Sequence, residues 1–188
     1  CEGHEIGEEH HLKQVTDYVL ELANLGLNNI TITNPMFFHL INQKIKPKFP
    51  GFKIHSSVNC YVKNVEHAMY LKELGADILC IDRDINRYLN IIRDIKNKTK
   101  LELKILMNEG CIANCPFRQA HFNMIAHDSD STYFDQNSCK SIYKDRPDKL
   151  FRVPFVRPED MKHYFGFVDH FKLATRDMHT LKIPIVLD

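Results

Sequence analysis

The sequence carries almost no net charge, with 25 lysines and arginines against 24 acidic residues in 188. This removes any general attraction for nucleic acid or an anionic membrane surface. No apolar run comes near the roughly 20 residues needed to span a bilayer, and the opening Cys1-Glu-Gly-His-Glu-Ile has no secretory pattern. No membrane partner is expected, and the chain reads as cytoplasmic. No Gly-x-Gly-x-x-Gly turn or Walker-type phosphate loop is present, so the usual support for a nucleotide-binding open sheet is missing. Gly-x-Ser-x-Gly and His-Glu-x-x-His are absent as well, which excludes a serine-hydrolase elbow and a zinc-protease helix of the ordinary kind.

What is present suits a packed domain. At 44% hydrophobic and 26% charged residues, the chain can bury a full core, and one domain over residues 1–188 is expected. A first residue other than Met and a last stretch Ile183-Pro-Ile-Val-Leu-Asp188 without a following helix suggest part of a longer protein. Six cysteines without an export signal point to reduced thiols, free to pack or to bind metal, rather than to a disulfide framework.

Apolar spacing predicts a helix over residues 8–25, stopped by Gly26, then a β-branched strand at 29–33 and a turn at Asn34-Pro35 leading into the apolar stretch 37–41. The same unit recurs as strand 52–58 with helix 62–74, and as strand 76–81 with helix 86–96. Strand 101–107 follows. Beyond an excursion at 110–149, residues 151–156 read as a strand, 158–164 as a helix and 170–174 as a sixth strand. Strands alternating with helices favour right-handed crossovers and a parallel sheet. The fold expected is therefore α/β, a parallel TIM-type (β/α) barrel that is incomplete in this chain, lacking one unit at each end.

A parallel barrel delivers the ends of all its strands to one face, where the chemistry of such enzymes sits. Asn34, Asn59, Cys60, Asp82, Arg83, Asn108, Glu109, Cys111, Arg157, Thr175 and Arg176 all fall there. Arg157 and Arg176 suit an anionic cosubstrate because guanidinium grips carboxylate or phosphate with paired hydrogen bonds, although ion pairs with Asp160 or Asp177 are the competing account. Asp82, Asn108 and Glu109 are placed to orient a substrate.

The excursion at 110–149 is far longer than the roughly 2–6 residues usual for such connections, and it carries Cys111, Cys115 and Cys139. Thiolates on an irregular segment suit an iron–sulfur cluster or zinc, whereas inert buried thiols belong in regular elements. A radical-SAM site would need a further cysteine where Arg118 stands. Cys1 is the candidate fourth ligand for a cluster, and His121 would complete a zinc site with the three loop cysteines. Cys80 reads as core, and Cys60 is left unassigned.

Ser57-Val-Asn-Cys-Tyr-Val-Lys-Asn-Val-Glu-His-Ala68, Leu71-Lys-Glu-Leu-Gly-Ala-Asp77 and Asp82-Arg-Asp-Ile-Asn-Arg87 precede Asn108-Glu-Gly-Cys-Ile-Ala-Asn-Cys-Pro-Phe-Arg118, with His121 and Asn123 beyond it. With Arg157-Pro-Glu-Asp160 and Phe171-Lys-Leu-Ala-Thr-Arg176, these segments resemble the collagenase-like peptidase family, unclassified peptidase family thirty-two, over nearly the whole chain. The resemblance implies a β/α barrel and a cysteine-ligated 4Fe–4S cluster, as in members that assist oxygen-independent hydroxylation of small aromatic precursors or of RNA bases. It thereby implies a small-molecule or RNA substrate, with a protein partner of the same family as a possibility. Other members are described as proteases. A peptidase, with Cys111 and His121 as its catalytic pair, is the alternative, followed by a non-catalytic binding module whose metal only ties down the long loop.

Overall fold

The computed structural model describes residues 9–126 and 139–174, so Cys1 and Arg176 lie outside the described residues. Helix α1 (Glu9–Asn24) turns Thr16, Val19 and Ala23 into the core, and Gly26 follows it at φ +103°. Strand β1 (Asn29–Ile32) leads into α2 (Pro35–Lys44), whose first turn is capped by the Asn34 side chain accepting from the Met36 N–H at 3.0 Å. Pro35 fits the first helical position, where no intrahelical N–H is needed.

Strand β2 (Lys53–Ser56), helix α3 (Val65–Glu73), strand β3 (Ile78–Cys80), helix α4 (Leu89–Thr99) and strand β4 (Glu102–Leu106) repeat the unit. Strand β5 (His170–Lys172) completes a parallel sheet in the order β1-β2-β3-β4-β5. Ile54, Leu79, Leu103 and Ile105 are buried with Phe38, Ile41, Leu71, Ile92 and Ile95 from the helices, so one face of the sheet packs on α2, α3 and α4. All three residues of β3 are buried, as expected for a central parallel strand.

Sequential order is that of a barrel wall, whereas a doubly wound open sheet reverses direction partway. The described sheet is open, with β1 and β5 at its edges. Among the described residues, five strands stand where six were expected. Residues 147–152 form a 3₁₀ turn, and the remainder of the expected strand at 151–156 is irregular. Its carbonyls are taken by side chains instead of a neighbouring strand. Asn86 Nδ2 donates to Leu106 O and Pro154 O, at 2.6 and 3.0 Å, while the Arg87 guanidinium donates to Phe151 O and Phe155 O. Pro154 also has no N–H for a ladder. The expected helix at 158–164 is a 3₁₀ turn, Pro158–His163.

The excursion at 110–149 is more regular than its composition suggests, since it holds α5 (Arg118–Ala126) and α6 (Cys139–Asp145). Among the described residues, no helix is long and apolar enough to cross a membrane.

Candidate functional site

The carboxyl ends of β2, β3 and β4 meet through side chains. A 3₁₀ turn, Arg83–Ile85, follows β3 and is capped by Asp82, whose Oδ1 accepts from the Asp84 N–H at 2.7 Å. Arg83, only 2% exposed, reaches both neighbours: it donates to Asn59 Oδ1 at 3.2 Å and lies 3.1 Å from Glu109 Oε2. That second contact is an ion pair whose N–H is not aimed along the bond, so Arg83 Nε remains without a hydrogen-bond partner. The Arg83 guanidinium also covers the Phe122 ring of α5, 4.7 Å from its centroid.

Beside it lies a second buried pair. Arg118 grips Asp84 in fork geometry, with Nη1 to Oδ2 at 2.7 Å and Nη2 to Oδ1 at 2.8 Å. Asp84 also accepts from Lys63 Nζ and from the Asn114 N–H, both at 2.9 Å, and Arg118 donates to Ile112 O at 2.8 Å. Burial opposes charge on Asp84, but Arg118, the Asn114 N–H and Lys63 outweigh it and hold the carboxyl far below the usual range. Asp82 shifts the other way. Its buried Oδ2 has no hydrogen-bond partner and only a long ion pair to Lys63 Nζ at 4.0 Å, and burial raises its pKa against the Asp84 N–H and Lys63.

These pairs support the loop that carries Cys111 and Cys115. Glu109 accepts from the Cys111 N–H at 3.0 Å, and the Asp84–Arg118 pair holds the backbone at Ile112 and Asn114. Cys139 opens α6, and Tyr143, one turn further on the same face, donates to Gly110 O at 2.9 Å. The Tyr143 hydroxyl is pushed up to about 12 by burial and then by Cys139, Cys111, Cys115 and Glu109. All three loop thiols therefore lie within electrostatic reach of one phenol. Burial, followed by the adjacent Glu109 carboxylate, pushes the Cys111 thiol up to about 11.

The thiols share this neighbourhood without closing on a point. Among the described residues, no group of three or more His, Cys, Asp or Glu side chains is placed to hold one metal ion, the Cys111, Cys115, Cys139 and His121 set included. Each iron of a cubane cluster takes its own thiolate, so a cluster does not require its ligands to meet at a single atom. A soft, all-sulfur donor set suits such a group.

The remaining expected residues fall in three places. Asn108 lies at the end of β4 and exchanges two hydrogen bonds with the backbone of Ala174, at 2.8 and 2.6 Å. His121 stacks on Phe122 in α5. Arg157 is exposed and pairs with Asp160 through two hydrogen bonds, at 2.8 and 3.0 Å, which is the ion pair weighed against an anion role. Cys80 is core, and Cys60 is buried with its thiol near Ile32 O and Thr33 O.

Sequence reasoning missed Asp84, Arg118, Lys63 and Tyr143 as site residues. Three charges within Asp82-Arg83-Asp84 directly after a buried strand were the available signal. The sequence profile of Peptidase family U32 matches residues 5–182.

The chain belongs to Peptidase family U32. This agrees with the resemblance drawn from its motifs. The U32 chain is similar to the uncharacterized protease MJ1657 of Methanocaldococcus jannaschii, with 30% identity over 163 residues, covering 83% of this chain and 47% of that relative. It spans about half the length of that relative. Among solved structures, it resembles the U32 peptidase Mk0906, with TM-score 0.58 and 19% identity over 93% of this chain and 65% of that one. The second likeness is one of fold.

Proposed function

We propose that this U32 chain is an iron–sulfur protein taking part in oxygen-independent hydroxylation of a small aromatic or RNA-base substrate. The observation that carries the reading is the hydrogen bond from Tyr143, one turn after Cys139, to Gly110 O beside Cys111, which joins the two cysteine-bearing segments at the carboxyl end of a parallel sheet. With Cys1 as the fourth ligand, these thiols would hold a 4Fe–4S cluster, which would supply one-electron chemistry. Glu109 and the Asp84–Arg118 pair would hold the ligand loop in register, and Asp82, Asn108 and Arg83 would face the substrate side. We place the sheet in a β/α barrel. The reading is supported by sequential strand order and by the polar face opposite the helices, where Lys53, His55, Glu102, Lys104 and His170 stand.

A cysteine peptidase is the second reading, favoured by the protease name of the curated relative. It needs an ionised nucleophile near neutrality. The Glu109 carboxylate beside Cys111 opposes that charge.

Purification without air, followed by iron and acid-labile sulfide analysis and visible absorption, tests the assignment. Iron with matching sulfide, lost in Cys115→Ser, is expected. Colourless protein with one zinc per chain would overturn the cluster. Gelatin cleavage by metal-free protein, abolished in Cys111→Ala, would instead establish the peptidase.

A further inference from the structure

A cavity of about 320 Å³ lies behind the cysteine loop, lined by Arg87, Tyr88, Lys149, Arg152 and Pro154, with Asp84 and residues 112–114 as its other wall. Three cations converge on it. Among the described residues, neither Lys149 nor Arg152 has an ion-pair or hydrogen-bond partner for its side chain. Arg87 is oriented by two backbone carbonyls, which direct its guanidinium without neutralising it. The single carboxylate in the lining, Asp84, is already engaged by Arg118, Lys63 and the Asn114 N–H. The cavity is therefore cationic, with the Arg87 guanidinium held in place and Lys149 and Arg152 also in its lining.

We propose that this cavity binds the carboxylate or phosphate group of a small molecule through Arg87, Lys149 and Arg152, with the ring of Tyr88 beside the rest of the ligand. Tyr88 is 56% exposed, so its face is open to a planar body. The assignment differs from the one expected for Arg157, whose guanidinium is spent on Asp160. It also stands whether or not the cysteines hold iron. Because residues 112–114 form one wall, an anion bound here would lie next to the loop between Cys111 and Cys115.

The test uses the full chain without metal. Inorganic phosphate and malonate are titrated by calorimetry against a constant chloride background, so that general ionic effects cancel. Saturable binding of at least one is expected, and which one binds distinguishes phosphate from carboxylate ligands. Lys149→Gln with Arg152→Gln should weaken it by about tenfold or more, as loss of two charge-assisted contacts implies. Lys44→Gln with Lys98→Gln removes the same charge from exposed positions on α2 and α4 and should leave binding unchanged. Hydrogen exchange supplies a second readout, in which the bound anion slows exchange at residues 112–114. Non-saturating titrations, equal weakening by both double variants, or unchanged exchange at residues 112–114 would overturn the site.

Discussion

Asp84 and Arg118 form one ion pair, but their losses should not cost the same. Removing Arg118 leaves Asp84 with Lys63 Nζ at 2.9 Å, a partner whose side chain is 42% exposed. Removing Asp84 leaves the buried Arg118 guanidinium with only Ile112 O among its hydrogen bonds. Breaking a buried pair costs roughly 3–5 kcal/mol, so Arg118→Ala should fall near about 3 and Asp84→Ala near about 5 in urea unfolding of metal-free protein. Equal losses would show that Lys63 offers no compensation. The partners are 34 positions apart, and that separation is why sequence reading overlooked them: nothing local announces that a charge after β3 meets the first residue of α5. Asp82, Asn108 and Glu109 were expected at the carboxyl end of the sheet because each comes shortly after an apolar strand, and that is where they stand. Even so, Asp82 proved to cap a turn, and Asn108 to tie β4 to Ala174.

Two glycines after helices show what an element end requires. Gly26 and Gly75 both have positive φ, +103° and +110°, but the space around them differs. A Cβ at Gly26 meets nothing within 4 Å, whereas one at Gly75 would run into the Asn42 side chain of α2, whose own Cβ would lie 2.6 Å away. Gly26→Ala should therefore cost about 1 kcal/mol for backbone conformation alone. Gly75→Ala should cost more, roughly 2–3 kcal/mol, because a packed helix must also shift. Thermal melts of the two variants give the comparison, and Asn42→Ala should not rescue Gly75→Ala, since the obstructing Cβ remains. Strands β1 to β4 were legible as short apolar or β-branched runs because each contributes buried residues to the core shared with the helices. Residues 151–156 carry a similar pattern, yet their carbonyls were claimed by Asn86 and Arg87 from another part of the chain, a competition invisible within the segment.

Across the whole sheet, the polar face sets how stability responds to acid. His55 is pushed down to about 4, first by burial and then by Lys104, His170 and Lys53, with Asp77 acting in the opposite sense. Lys104 Nζ lies 2.8 Å from His55 Nδ1, so a second positive charge there is unwelcome. The unfolded imidazole, titrating near 6.5, takes up its proton first. Stability is therefore full above about pH 6.5 and declines as pH falls toward 4, by about 1 kcal/mol once solvent screening of this half-buried group is allowed for. Glu102, held down to about 2 by Lys53 and His170, extends the decline at lower pH. Melting temperature measured from pH 7.5 to 4.5 should fall accordingly, with a shallower slope in His55→Gln. An unchanged slope would remove His55 from the account.

One short stretch after β3 also links properties that would otherwise be independent. Asn86 fastens the strand end to Pro154, and the adjacent Arg87 both steadies the same segment and offers its charge to the cavity. Folding stability and ligand preference are thus inherited together at these two neighbouring codons. A drift in specificity through Arg87 would be screened first by whether the molecule still folds.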